Sequence, residues 1–234
     1  MKSMVRRGSS RQELLAPGWP EIAIGLLVWG VVGYGVGSQL HRLIPSPRTL
    51  GVLFSGLSGV AGLAAFYAAY RLRARDLGAF GIKKTSLRWL MFSVALGLLA
   101  VVGRAALTMA VVGPSASQNP VQSVYVDGAR GGAAPLVLAS LLLGVLSPIG
   151  EEFLFRGVIL SALRRYGAVI AVGTTAVIFA LMHGFNVVLL SALIEGLLAG
   201  AIFWRSRSIW TAVVVHATYN LPVLPSMLLA ATAQ

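Results

Sequence analysis

The chain has 234 residues, of which 57% are hydrophobic and 11% charged, against about 25% charged in a soluble domain. Its mean hydropathy of +0.82 points to one membrane domain, and the lack of cysteine excludes disulfides, thiolate metal sites and a cysteine nucleophile. The net charge of +12 is no sign of nucleic acid, because the basic residues sit in short clusters between apolar segments and form no stripe interleaved with aromatics.

Taken in order, residues 1–19 form a basic segment carrying Lys2, Arg6, Arg7 and Arg11. The long apolar run behind it has no small-residue cleavage site, so it reads as a retained first span rather than a removed signal. Apolar segments then recur at 20–40, 50–70, 88–112, 134–163, 168–184, 187–204 and 208–231, each near the ~20 residues a crossing helix needs. The expected fold is an all-α polytopic bundle of seven spans, or eight if the fourth splits at Pro148 and Gly150. Residues 20–112 hold three spans with a basic loop at 71–88, residues 113–133 form a polar external loop, and residues 134–231 form the chemical core.

Loop charges orient this bundle. Arg71, Arg73, Arg75, Lys83, Lys84 and Arg88 lie between spans two and three, Arg164 and Arg165 follow span four, and Arg205 and Arg207 follow span six. With the N-terminal cluster they fall on one side, against Arg42, Arg48 and Arg130 on the other. The positive-inside rule makes that side, and the N-terminus, cytoplasmic.

The informative feature is Glu151-Glu152-Phe153-Leu154-Phe155-Arg156, set in a segment otherwise free of charge from Ala133 to Leu163. Each mid-bilayer charge opposes insertion by roughly 2.5–3.5 kcal/mol unless it pairs or faces water. A span that only had to cross would not carry three. Glu152 and Arg156 lie four apart on one helix face, with Glu151 about 100° away. Two later spans are also interrupted, by His183 in Phe179-Ala180-Leu181-Met182-His183 and by His216 and Asn220 in His216-Ala217-Thr218-Tyr219-Asn220. At 1.5 Å per residue, Glu151, His183, His216 and Asn220 lie ~21, ~22, ~14 and ~20 Å from the internal ends of their helices. Three helices therefore bring polar groups to similar depth, as the lining of a shared cavity requires.

Such a cavity suits amide hydrolysis by activated water. A carboxylate beside a histidine can deprotonate water and return the proton to the leaving amine, while a second histidine and an amide can donate to the oxyanion. Glu151, His183 and His216 also make a catalytic zinc set in principle, two histidines and a carboxylate with an open position, drawn from three helices because no HExxH helix exists. A metal-free glutamate mechanism stands beside it.

The three motifs, EEFLFR, FALMH and HATYN, resemble in order and spacing the EExxxR, FxxxH and HxxxN signatures of the CAAX-processing and bacteriocin-processing (CPBP, or Abi) intramembrane endopeptidases. The resemblance covers about residues 135–222. It implies that Glu151 and His183 activate water, that His216 and Asn220 assist the oxyanion or a metal, and that Glu152 and Arg156 form an orienting ion pair. Its implied substrate is a membrane-associated peptide or protein, and its implied location a cell membrane. The Gly-, Ala- and Arg-rich composition looks bacterial, where prenylated substrates are not expected.

Blander readings stand beside these. The Glu151, Glu152 and Arg156 charges can tie helices together, and His183, His216 and Asn220 can serve as interhelical glue. Arg104 and Glu195 are single intramembrane charges whose simplest account is pairing, with each other or with the motif charges. A non-catalytic binding or immunity protein would use the same cavity, and a small transporter would also keep Glu and His at mid-depth, although no inverted repeat is present.

Overall fold

Apolar runs in a solvent without hydrogen-bonding capacity must satisfy their backbone internally, and this chain does so with helices alone among its described residues. The structure is a computed structural model and describes residues 16–73, 76–111, 120–186 and 188–232. The basic segment 1–19 therefore falls almost wholly outside the described residues.

Helix α1 (Trp19–Leu43) starts with Pro20 in its first turn, and the Glu21 carboxylate accepts the Gly18 N–H at 2.7 Å. Helix α2 (Pro47–Leu72) is capped by Ser46, whose side chain accepts from the Thr49 N–H. A short 3₁₀ turn at Leu77–Phe80 leads to α3 (Leu87–Val111). Helices α4 (Pro120–Ala129), α5 (Ala133–Tyr166), α6 (Ala168–Met182), α7 (Val188–Ser206) and α8 (Ile209–Leu229) follow, the last broken by a turn at 221–222.

Six of these, α1, α2, α3, α5, α7 and α8, are long and apolar enough to cross a membrane. Helix α6 has 15 residues, about 22 Å of rise against a hydrocarbon core of about 30 Å, so the fifth expected span is shorter than a full crossing. The segment expected as an external loop holds α4, which ends before Gly131 and Gly132 at φ of 102° and 123°. Residues 112–119 of that segment lie outside the described residues.

The fourth span does not split. Its 34 residues run as one helix, about 51 Å long and so longer than the bilayer core is thick. Two π-helical stretches, Leu142–Leu146 and Phe153–Leu160, flank the six-residue α-helical turn Ser147–Glu152. The widened turns just before Pro148 relieve the clash that a mid-helix proline makes with the carbonyl four residues earlier.

Helix α5 is the centre of the bundle, with Leu154, Phe155, Val158, Ile159 and Leu160 buried in the main core. Its approach to α2 is set by glycines. A Cβ on Gly150 would overlap the Gly59 carbonyl, and one on Gly62 would overlap the Gly150 carbonyl, so the two backbones touch directly beside Glu151. Gly196 and Gly200 let α7 pack closely on α6, a Cβ on each lying 3.1 Å from Ala176 Cα and 3.0 Å from the Val172 side chain, respectively. Helix α3 is peripheral and turns Met91, Phe92, Leu98, Leu99 and Val102 outward, where lipid is as apolar as their own side chains.

Several of the loop charges gather at one end of the bundle. Lys83, Arg164, Arg165 and Arg207, from three different connections, line one cavity at one end of the bundle. At that end Arg73 grips the buried Glu21 with two hydrogen bonds of 3.0 and 2.8 Å. The bonded carboxylate raises the Arg73 pKa above its ordinary value.

Candidate active site

Glu152 and Arg156 lie one turn apart on α5 and are both fully buried. Arg156 Nη1 donates to Glu152 Oε1 at 2.8 Å and Nη2 to the Gly196 carbonyl at 3.0 Å. The pair therefore clamps α5 to α7. The same Glu152 oxygen accepts from His216 Nδ1 at 2.8 Å, which tethers α8 to α5 and fixes the ring so that Nε2 points away from Glu152. Glu151 Oε2 lies 3.7 Å from that Nε2. A chain of polar contacts thus runs from Arg156 through Glu152 and His216 to Glu151.

His183 caps the C-terminal end of α6. Its Nδ1 lies 2.9 Å from the Phe179 carbonyl, which can only accept, so Nδ1 carries the proton and Nε2 is the acceptor of the neutral ring. Both histidines are thus held through Nδ1. The Phe179 ring also packs against them, with centroids 4.6 Å from His183 and 5.6 Å from His216, and lies 5.0 Å from the Arg156 guanidinium carbon. The phenylalanine of the FALMH segment therefore acts as a spacer between three polar groups.

These elements enclose a cavity of about 320 Å³ whose lining includes Glu151, His183, His216, Asn220, Glu195 and Arg104. Asn220 donates weakly to the Leu143 carbonyl at 3.4 Å. Of the six residues singled out by sequence, four line the cavity; Glu152 and Arg156 sit behind its wall. A third π-helical stretch among the described residues, Val31–Val36 in α1, and the two in α5 each contribute to the lining, through Tyr34, Leu143 and Phe155, a placement such turns often take at functional sites.

Glu195 joins the cluster. Its carboxylate lies 3.6 Å from Arg156 Nη2 and 3.7 Å from His216 Nδ1, so it pairs with the motif charges and not with Arg104. The sequence exposed Glu195 as a lone intramembrane acid and left two partners open, Arg104 or the motif charges, of which the structure shows the second. Arg104 instead lies over the Tyr219 ring at 4.5 Å, with no carboxylate at salt-bridge distance among the described residues.

A metal would find ligands in a different set from the one the sequence suggested. Glu152, Glu195 and His216 offer ligand atoms that all lie within 4.8 Å of one another, whereas Glu151, His183 and His216 do not gather in this way. Both oxygens of Glu195 and Oε2 of Glu152 are buried without a hydrogen-bond partner among the described residues. Three carboxylates against one guanidinium leave a surplus of negative charge that a proton on His216 or a bound cation would offset. The donor set, two carboxylates and an imidazole, therefore fits a divalent ion.

Residues 133–222 match the family described as type II CAAX prenyl endopeptidase Rce1-like. This is the family to which the motif resemblance pointed. The Rce1-like segment runs from the start of α5 to the turn in α8, and so contains Glu151, Glu152, Arg156, His183, Glu195, His216 and Asn220, while α1 to α4 lie outside it. No curated protein and no solved structure matches the chain. The four helices outside the match, α1, α2, α3 and α4, supply Tyr34, Ser58, Arg104 and Tyr125 to its lining.

Proposed function

We propose that this protein is an intramembrane endopeptidase that hydrolyses a peptide bond of a membrane-associated protein or peptide with water activated by Glu151 and His183. The observation that carries this reading is the contact chain Arg156–Glu152–His216–Glu151 at the wall of a cavity inside the bundle. A binding protein has no need to hold a histidine ring by Nδ1 while presenting Nε2 to a carboxylate.

Glu151 takes a proton from water in the cavity, with His183 Nε2 as the second acceptor that orients it. The hydroxide oxygen forms a bond to the carbonyl carbon, and the π pair moves onto oxygen. The Asn220 amide, or His216 when it carries a proton on Nε2 as well as on Nδ1, donates to that oxyanion. Collapse breaks the C–N bond while the Glu151 carboxyl returns its proton to the leaving nitrogen, giving one new carboxylic acid, which then loses its proton to water, and one new amine. Glu152 and Arg156 do not touch substrate in this scheme; they hold His216 in register. A divalent ion held by Glu152, Glu195 and His216 would supply Lewis-acid polarisation and lower the pKa of bound water.

The charge pattern supports a multi-pass cell-membrane protein with a cytoplasmic N-terminus. The bacterial look of the composition favours peptide maturation, bacteriocin immunity or membrane-protein processing over a prenylated substrate.

The test is to reconstitute the purified chain in lipid nanodiscs and incubate it with a membrane-peptide extract in ¹⁸O-water. Wild type should create peptides with one ¹⁸O in the new carboxyl group. Glu151→Gln at equal protein should create none; identical peptide maps from the two proteins would remove the catalytic reading.

A further inference from the structure

We propose that the basic end of the bundle carries a binding site for the phosphate of an anionic lipid headgroup. A cavity of about 870 Å³ lies there, lined by Lys83, Arg164, Arg165 and Arg207, with Ser161 and the backbone around Gly81, and by no acidic side chain among the described residues. It is separate from the cavity of the Rce1-like site, and the two share no described lining residue.

The cations are not spent on the fold. Among the four, Arg165 is the one with hydrogen bonds to carbonyls among the described residues, donating to Ala162 at 3.0 Å and to Pro17 at 2.9 Å. Lys83, Arg164 and Arg207 have no carboxylate within 4.0 Å among the described residues. Three like charges around one concavity repel one another, and an anion between them removes that cost.

The walls are built rather than accidental. Ser208 Oγ donates to the Lys83 carbonyl at 2.7 Å and the Ile209 N–H to the Gly81 carbonyl at 2.9 Å, locking the α2–α3 connection onto the α7–α8 connection. Arg207 is held in the left-handed region at φ 62°, the one non-glycine residue so placed among those described. Its guanidinium carbon and that of Arg164 lie 5.3 and 5.2 Å from the centroid of the Trp204 ring, so one indole organises both cations. Planar guanidinium groups match phosphate oxygens in pairs.

Depth selects the lipid over a soluble anion. Arg164 closes α5, Trp204 lies in the last turn of α7, and Arg207 joins α7 to α8. These are span ends, the level of lipid phosphates, where tryptophan anchors and basic pockets between helices engage headgroups.

The test measures thermal unfolding of the whole purified chain in nanodiscs of phosphatidylcholine alone or with phosphatidylglycerol added, and needs no enzymatic readout. Wild type should gain about 3 °C or more in Tm from phosphatidylglycerol. The pair Arg164→Gln with Arg207→Gln should lose that gain, and the charge-matched pair Lys84→Gln with Arg88→Gln, outside the cavity, should keep it. Lys83→Gln, a milder change, should reduce the phosphatidylglycerol retained in native mass spectra. An equal gain in the cavity variant, no gain in wild type, or the same gain from inorganic phosphate in phosphatidylcholine discs would each overturn the assignment.

Discussion

The protein holds charge in two opposite ways at its two cavities. Inside the bundle, Glu151, Glu152 and Glu195 crowd around Arg156 and His216, buried and within 2.8–3.7 Å of one another's partners. At the end of the bundle, Lys83, Arg164 and Arg207 surround open space with no carboxylate among the described residues there. The first arrangement is expensive to assemble in an apolar medium, and the Arg156 guanidinium offsets part of its negative charge. The second sets like charges around an open concavity, where solvent screens their repulsion. The contrast sets a buried, mutually paired cluster against an open basic one in a chain whose charge total alone suggests neither.

That contrast can be broken at its acidic pole first. Glu151→Gln keeps the shape of the cavity wall but removes the base, and hydrolysis in reconstituted protein should fall by about 10³-fold or more with the melting temperature held. Arg156→Met tests the neutralisation itself, leaving Glu152 and Glu195 buried without their guanidinium. It should cost about 3–5 kcal/mol, read as a lower unfolding midpoint in mild detergent.

Smaller effects sharpen the comparison. Gly150→Ala pushes a methyl into the Gly59 carbonyl and should cost about 1–3 kcal/mol, with a loss of hydrolysis as Glu151 moves with its backbone. Arg104→Met is the counterpart to Arg156→Met. Arg104 touches an aromatic face and no carboxylate, so its loss should cost only about 1 kcal/mol in the same unfolding assay. Equal costs at the two arginines would contradict the view that only Arg156 is a structural counter-charge.

Much of this was legible in the sequence, for identifiable reasons. A charge in an apolar run is conspicuous because the surrounding composition makes it costly, which exposed Glu151, Glu152, Arg156, Arg104 and Glu195 together. The four-residue spacing of Glu152 and Arg156 announced a shared face, and the structure holds them at 2.8 Å. Helix rotation was not legible. Whether Glu195 turned toward Arg156 or Arg104 depends on how α7 sits on α6 through Gly196 and Gly200, a contact between residues far apart in sequence. The same applies to the metal-capable set. Spacing nominated Glu151, His183 and His216, while packing gathered Glu152, Glu195 and His216. The continuity of α5 through Pro148 was also hidden, because proline normally argues for a break and the π-helical turns that accommodate it carry no composition signal. The helix at 120–129 was obscured by its polar neighbours, since what holds it is the close approach of Gly128 to Gly51 of α2.

The central claim is that Glu151 activates the water that cuts a membrane-associated substrate. The most direct measurement compares protein and peptide termini in membranes of cells carrying wild type or Glu151→Gln, at matched protein level. The account predicts a small set of termini present with wild type and absent with the variant, each paired with its uncut precursor in the variant cells. Indistinguishable termini across growth conditions, with the same partner co-purifying with both forms, would contradict it and leave the cavity as a binding site.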